Sequence, residues 1–297
     1  MGQIPMQSPH LTLPREPSSA TQPRTALVLG AGGIRGCAHP GVISVLQQAG
    51  VRIDMVVGAS IGAMFGLGLA AGIPAERMVE TVRVSRPIDI LRFYLGGLNP
   101  QGKNPIARLL RDAGEGKEFS DLEMPFAVTA TDMESGRQVV IKSGPVLDAV
   151  RASICLPLFG RPVHLDGRYH MDGGLTDTAP VYVAREMGAE RVIAVCLGTN
   201  FAAPRWVREK PWARPMLQML GRQTHAPTGR FPDMLRFTAR LYAASCNPPM
   251  PAQDADIAIW PDLGPLSPTS MVGAQFALER GFEAGREALA ALSPGSH

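Results

Sequence analysis

Three short stretches hold the side chains that could do chemistry. The first is VVGASIGA, residues 56–63. An apolar run stops at Gly58, Ser60 stands at the tip, and Gly62 follows two positions later. A serine hydroxyl becomes a useful nucleophile only when a neighbouring base takes its proton. A sharp strand-to-helix turn, G-x-S-x-G, is one way to expose it, and the strained backbone at the serine requires small neighbours. The order here fits: apolar VV, then GASIG, then the helix-like AMFGLGLA. A helix starting after Ser60 would also aim its free N–H groups and its dipole at a developing oxyanion. The competing reading is a packing turn whose serine caps the helix.

The second stretch is GAGGIRG, residues 30–36, again between strand-like and helix-like sequence. It fails as a dinucleotide fingerprint. Counted from Gly30, the third glycine of G-x-G-x-x-G falls on Arg35, and Asp54, at the right distance, precedes its strand rather than ending it. It fits an oxyanion hole better: consecutive glycines let two or three N–H groups converge, with a helix N-terminus behind them and the Arg35 charge nearby.

The third is HMDGGLTDTAP, residues 170–180, where Asp172 precedes two glycines. Such an aspartate is by default an Asx-turn residue. A base for Ser60 would ordinarily be histidine. His10 lies in the N-terminal tail, His297 is the last residue, and His164 and His170 suit ordinary strand faces. Only His225 falls late in the chain, in an irregular region, and no histidine has persuasive context.

The elements that must position these groups follow from periodicity. TALVLG (25–30), MVVG (55–58) and RVIAVCLG (191–198) read as buried strands. VISVLQQAG and IGAMFGLGLAAG read as helices closed by Gly50 and Gly72. The opening β-loop-α-β-turn-α order argues for a parallel sheet covered by helices. PFAVTATDM (125–133) and RQVVI (137–141) form a hairpin about ESG, while GPVLDAVRASIC, PVYVAREMGA and the final QFALERGFEAGREALAAL are helical. Residues 85–118 are mixed, with several glycines and prolines.

Taken together, GAGGIRG, GASIG and DGG, in that order, resemble the patatin-like phospholipase family, particularly its compact bacterial members. CAHPGVISVLQQAG, PFAVTATDMESGRQVV and DAVRASICLP add to the likeness, which runs from about Ala26 to Thr199. The resemblance implies a three-layer α/β/α sandwich around a largely parallel sheet. It implies a Ser–Asp dyad, with Ser60 the nucleophile and Asp172 the base, and an oxyanion hole formed by Gly32, Gly33 and the Arg35 amide. Gly36, Gly58, Gly62, Gly173 and Gly174 would shape these motifs. The implied activity is hydrolysis of fatty-acyl esters of phospholipids, lysophospholipids or neutral lipids, with no metal and no organic cofactor. Three positions depart from the family: Ala31 and Cys155 replace commoner glycine and serine, and TDTAP (176–180) replaces Asn-Pro-x-Pro, which would leave the loop at Asp172 less rigid.

The bulk numbers set the frame. The 297 residues are 45% hydrophobic and 19% charged, with net charge +3, so nucleic acid is not an expected partner. Four scattered cysteines suggest neither a zinc site nor a disulfide framework. No apolar run reaches a membrane span, and MGQIPMQSPHLTLPREPSSATQPR is not a secretory signal. We expect a cytoplasmic protein that works peripherally at a lipid surface. Residues 1–24 read as a flexible tail, 25–292 as one catalytic domain, and 293–297 as a flexible end. Within the domain, 201–253 is irregular, basic and aromatic. Eight Lys/Arg face two acids between Phe201 and Arg240, interleaved with Trp206, Trp212, Phe231 and Phe237. It would serve as a lid or membrane-facing segment. A catalytically weak lipid-binding protein and a nucleotide-binding protein using GAGGIRG are the alternatives.

Overall fold

The computed structural model describes residues 23–96, 104–157, 160–198, 231–244 and 252–292, with isolated positions between 212 and 219. Eight strands form one sheet: β1 (Thr25–Leu29), β2 (Met55–Ala59), β3 (Phe126–Asp132), β4 (Gln138–Ile141), β5 (Val163–Leu165), β6 (Arg168–Asp172), β7 (Arg191–Val195) and β8 (Ile257–Ile259). Their order is β5-β6-β3-β2-β1-β7-β8, with β4 also on β3. The β1, β2, β3, β7 and β8 pairings are parallel, while β4, β5 and β6 add antiparallel rungs at one end.

Strands buried on both faces need apolar residues throughout, so TALVL and MVVGA read as runs rather than alternations. The alternation is instead between two cores. Leu27, Val56, Phe126 and Ile193 face one helical layer. Val28, Val57, Ala127 and Ala194 face the other. The larger layer holds α1 (His39–Gln48), α2 (Ile61–Ala70), α3 (Ala75–Val84), α5 (Pro105–Gly114), α6 (Val146–Ser153) and α9 (Ala274–Leu292), with α4 (Pro87–Gly96) at its edge. The smaller is built on α7 (Val181–Glu186). The result is a three-layer α/β/α arrangement. All ten residues of α2 are buried, which is why IGAMFGLGLA lacks a polar face.

The pairing around β3 positions the site. β2 covers β3 rungs 126–129 and β6 covers rungs 130–132. β4 overlaps both stretches, over 128–131. A strand has two edges, so β2 and β6 must share one, end to end, with β4 opposite. Ala59 pairs Thr129 and Asp172 pairs Ala130. The tip of β2 therefore meets the end of β6 on consecutive rungs.

Two segments differ from the sequence expectation. The mixed stretch 85–118 contains α4 and α5, and Asn104 caps α5 by accepting the Ile106 amide at 2.9 Å. Within 201–253, expected to be irregular, Phe231–Ala244 forms the 14-residue helix α8. Its Phe237 is buried with Met133, Cys155 and Met171. Most of the remainder of that segment, residues 1–22 and 293–297 of the two tails, and His225 lie outside the described residues.

Candidate active site

Ser60 sits between β2 and α2 at φ 54°, ψ −124°, a left-handed conformation that costs a side-chain-bearing residue about 1–3 kcal/mol. The turn is tight because its glycines touch backbone. A Cβ on Gly58 would stand 2.4 Å from the Ala63 Cα, and one on Gly62 would stand 2.0 Å from the Leu29 carbonyl oxygen. The strain is held by a bond absent from the sequence reading: the Ser60 amide donates to Ser153 Oγ at 2.8 Å. Ser153 is fully buried at the end of α6. RASIC reads as an ordinary helix end, and nothing in it signals this reach across 93 residues.

Ser60 Oγ donates to Asp172 Oδ2 at 2.5 Å, and Ser60 is only 5% exposed. The other oxygen, Oδ1, accepts the Gly174 amide at 2.8 Å. Asp172 is thus an Asx-turn residue with one oxygen and a partner of serine with the other, so the two sequence readings describe different atoms. Its backbone is fixed as well. The Asp172 amide donates to the Cys155 carbonyl at 2.9 Å, and Thr131 Oγ1 donates to the Asp172 carbonyl at 2.8 Å. Complete burial pushes the carboxyl up to about 7, against the opposing pull of the bonds from Ser60 and Gly174. Near neutral pH such a group can both accept and return a proton.

The glycine loop is pinned from several sides. The amides of Gly30, Ala31 and Ile34 donate to the carbonyls of Val195, Thr178 and Pro268. Arg35 Nη1 donates to the Leu266 carbonyl at 3.2 Å. The Arg35 amide, expected as an oxyanion donor, instead donates to the Gly32 carbonyl at 3.2 Å, because residues 33–38 wind into a 3-10 turn. Among the described residues, the Gly32 and Gly33 amides remain as candidate donors in the loop. This pinning also leaves little of GAGGIRG to cradle a nucleotide phosphate. Gly33 requires its own residue type: it has φ 56°, and a Cβ there would meet the Pro268 carbonyl oxygen at 2.1 Å.

The other motif glycines are contact points. A Cβ on Gly36 would meet Ile61, one on Gly173 the Thr129 carbonyl, and one on Gly174 the Ala31 methyl. The TDTAP loop, expected to be looser, is tied down. Asp177 Oδ1 accepts the Ala179 amide at 3.0 Å, and Thr178 lends its carbonyl to Ala31. Cys155 Sγ donates to the Arg161 carbonyl at 3.1 Å, and burial pushes the thiol up to about 12, so it is a wall and not a nucleophile.

His39, to which the sequence gives no role, is fully buried with Nε2 2.8 Å from the Gly30 carbonyl. That acceptor places the proton on Nε2, and Nδ1 is left without a partner. Burial lowers its pKa to about 4. It buttresses the glycine loop and does not act as a base. His164 packs edge-on against Tyr169. Among the described residues, no group of three or more His, Cys, Asp or Glu is placed to hold a metal, and no helix is long and apolar enough to cross a membrane.

A serine on a strand-elbow-helix turn, bonded to a buried aspartate and set beside a glycine loop on a three-layer sheet, is an arrangement suited to nucleophilic chemistry. The family model described as patatin-like phospholipase matches residues 27–185, and the chain belongs to that family. It is 31% identical over 246 residues to the human patatin-like phospholipase domain-containing protein 6, covering 74% of this chain. It is 33% identical over 213 residues to an uncharacterised NTE family protein of Mycobacterium tuberculosis, covering 70% of this chain. The matches span 17% and 58% of those proteins' lengths. The fold is similar to the crystal structure of VipD from Legionella pneumophila, with TM-score 0.53 and 16% identity over 92% of this chain and 68% of that one.

Proposed function

We propose that the chain hydrolyses fatty-acyl esters of phospholipids or lysophospholipids, with Ser60 as nucleophile and Asp172 as base. The observation that carries this reading is the 2.5 Å bond between Ser60 Oγ and an Asp172 carboxyl that burial has brought near neutrality. Ser60 Oγ attacks the ester carbonyl carbon while Asp172 Oδ2 takes its proton. The Gly32 and Gly33 amides hold the carbonyl oxygen as it gains charge, each donor being worth about 10²–10³ in rate. The proton then passes to the departing alcohol, and a water molecule repeats the sequence on the acyl-enzyme to release the fatty acid. The protein would work peripherally at a lipid surface, with the basic and aromatic 201–253 segment facing the head groups.

Labelling with a fluorophosphonate tests the nucleophile. The wild type should be labelled and should cleave p-nitrophenyl esters, and folded Ser60→Ala should do neither. A folded wild type that takes no label would overturn the proposal in favour of a lipid-binding protein.

A further inference from the structure

Four large apolar side chains stand exposed together at one place. Val84 ends α3, Ile88 lies in the first turn of α4, and Val272 and Phe276 straddle the start of α9. They are 41–62% exposed. α3 and α9 pack together, and Gln275 Nε2 donates to the Arg83 carbonyl at 3.2 Å, so the two segments form one face.

That face lies at the end of the sheet where the elbow sits. Ser85, next to Val84, and Ala274, between Val272 and Phe276, border one small void together with Gly33 and Ile61. The loop leading into α9 is also the one that pins the glycine loop: the Pro268 carbonyl accepts the Ile34 amide, and the Leu266 carbonyl accepts Arg35 Nη1.

The chemistry of the face suits leaving water on one side. No charged residue occurs between Asp262 and Glu279. The hydroxyls in that stretch are occupied within it: Ser267 Oγ and Thr269 Oγ1 share a hydrogen bond at 3.2 Å, and Ser270 Oγ donates to the Val272 carbonyl at 2.7 Å. On the α3 side, Ser85 Oγ donates to the Thr81 carbonyl at 2.6 Å. Polar groups already bonded to their own chain cost less to desolvate. Cations border the apolar patch. Residues 83–92 carry Arg83, Arg86 and Arg92 against a single acid, Asp89, which is buried and bonded to Arg86 at 3.1 Å. Arg280 lies over the Phe276 ring, 5.3 Å from its centre. A second copy of the chain docked here about a two-fold axis would set these arginines against one another. Apolar side chains edged by arginines instead match the boundary between acyl chains and anionic head groups.

We propose that this face, the four apolar side chains with the arginines of 83–92, seats the protein on an anionic lipid bilayer and sets the Ser60 end of the sheet against the membrane. The choice of lipid as the partner rests on the hydrolase reading of Ser60.

The test is co-sedimentation with vesicles of phosphatidylcholine alone and of phosphatidylcholine carrying ~30% phosphatidylglycerol, an anionic lipid. Wild type, Val272→Glu, Ile88→Glu and Arg92→Gln are compared. Fluorophosphonate labelling and turnover of soluble p-nitrophenyl butanoate are followed in parallel, because neither needs a membrane. The wild type should prefer the anionic vesicles, and ~0.5 M salt should weaken its binding. Val272→Glu and Ile88→Glu should each bind about ten-fold more weakly, and Arg92→Gln about five-fold. All three should keep wild-type labelling and soluble turnover. Val272→Ser repeats the contrast should Val272→Glu not fold. Folded, labelled variants that bind vesicles as the wild type does would overturn the proposal. So would a wild type that ignores vesicles, or one that forms a dimer in light scattering which Val272→Glu dissolves, since a second copy would then cover the face. A folded wild type that binds vesicles through this face but takes no label would keep the docking face and remove the hydrolase reading.

Discussion

Asp172→Asn keeps the shape of the side chain and removes its charge. The amide oxygen can still accept the Gly174 amide, but no group remains to take the Ser60 proton. Losing a general base costs about 10²–10⁴ in rate. Stability should move the opposite way. The carboxyl has a pKa of about 7 in the fold against an ordinary 3.8. At about 1.4 kcal/mol per pH unit, ionising it in place costs at most about 4 kcal/mol. Below pH ~4 the group is neutral both folded and unfolded, and wild type and variant should be equally stable on this account. As the pH rises to 7 the unfolded chain ionises first, so the wild type loses ground, and above 7 the whole cost is present. Urea unfolding of both proteins from pH 4 to 8.5 reads the effect directly. By thermal melting it is an upper limit of roughly 8–16 °C in Tm at pH 8. The wild-type kcat/KM should rise with pH through an apparent pKa of about 7. A stability difference that does not change with pH, or a variant that still turns over, would refute the reasoning.

Other substitutions probe the surrounding geometry. Ser60→Gly and Ser60→Ala both lose the hydroxyl, but only glycine relieves φ 54°, so Ser60→Gly should be more stable by about 1 kcal/mol in denaturant titrations. Gly62→Ala drives a methyl to 2.0 Å from the Leu29 carbonyl and should cost more than ~3 kcal/mol or prevent soluble expression. His39 has a pKa of about 4 in the fold against 6.5 outside, so the unfolded chain protonates first as pH falls. The wild type should lose about 3 kcal/mol between pH 7 and 4 from this residue, and His39→Gln should lack that loss in pH-dependent unfolding.

The parts of the site that were legible in the sequence are those where local geometry dictates residue type. GASIG announces its elbow because only small residues survive contacts as close as Gly62 with Leu29. The buried strands announce themselves as apolar runs. The meeting of Ser60 and Asp172 was expected only through the family resemblance, because it depends on two strands sharing one edge of β3, and pairing leaves no local trace. Ser153 and His39 were missed for the same reason: each acts through one bond to distant or turned backbone. Helices α4 and α5 were obscured by glycines and prolines that turn out to lie at or between their ends, although Asn104-Pro105 is a start signal in retrospect. The bond from the Arg35 amide to the Gly32 carbonyl was not foreseen, because a motif lists residues and does not say which N–H groups a 3-10 turn engages.

Ser60 and Asp172 are separated by 112 positions. A growing chain therefore presents elbow and glycine loop long before Asp172 exists, and a fragment ending ahead of β6 would lack the proton acceptor proposed for Ser60. On the proposed mechanism, turnover must wait until β6 docks on the stretch of β3 that β2 leaves open, one of the long-range closures expected to be slow. Turnover recovered during refolding should therefore lag behind helix formation. Its rate would time the completion of this one seam, and the chemistry would report on topology as a clock that starts only when β6 is in place.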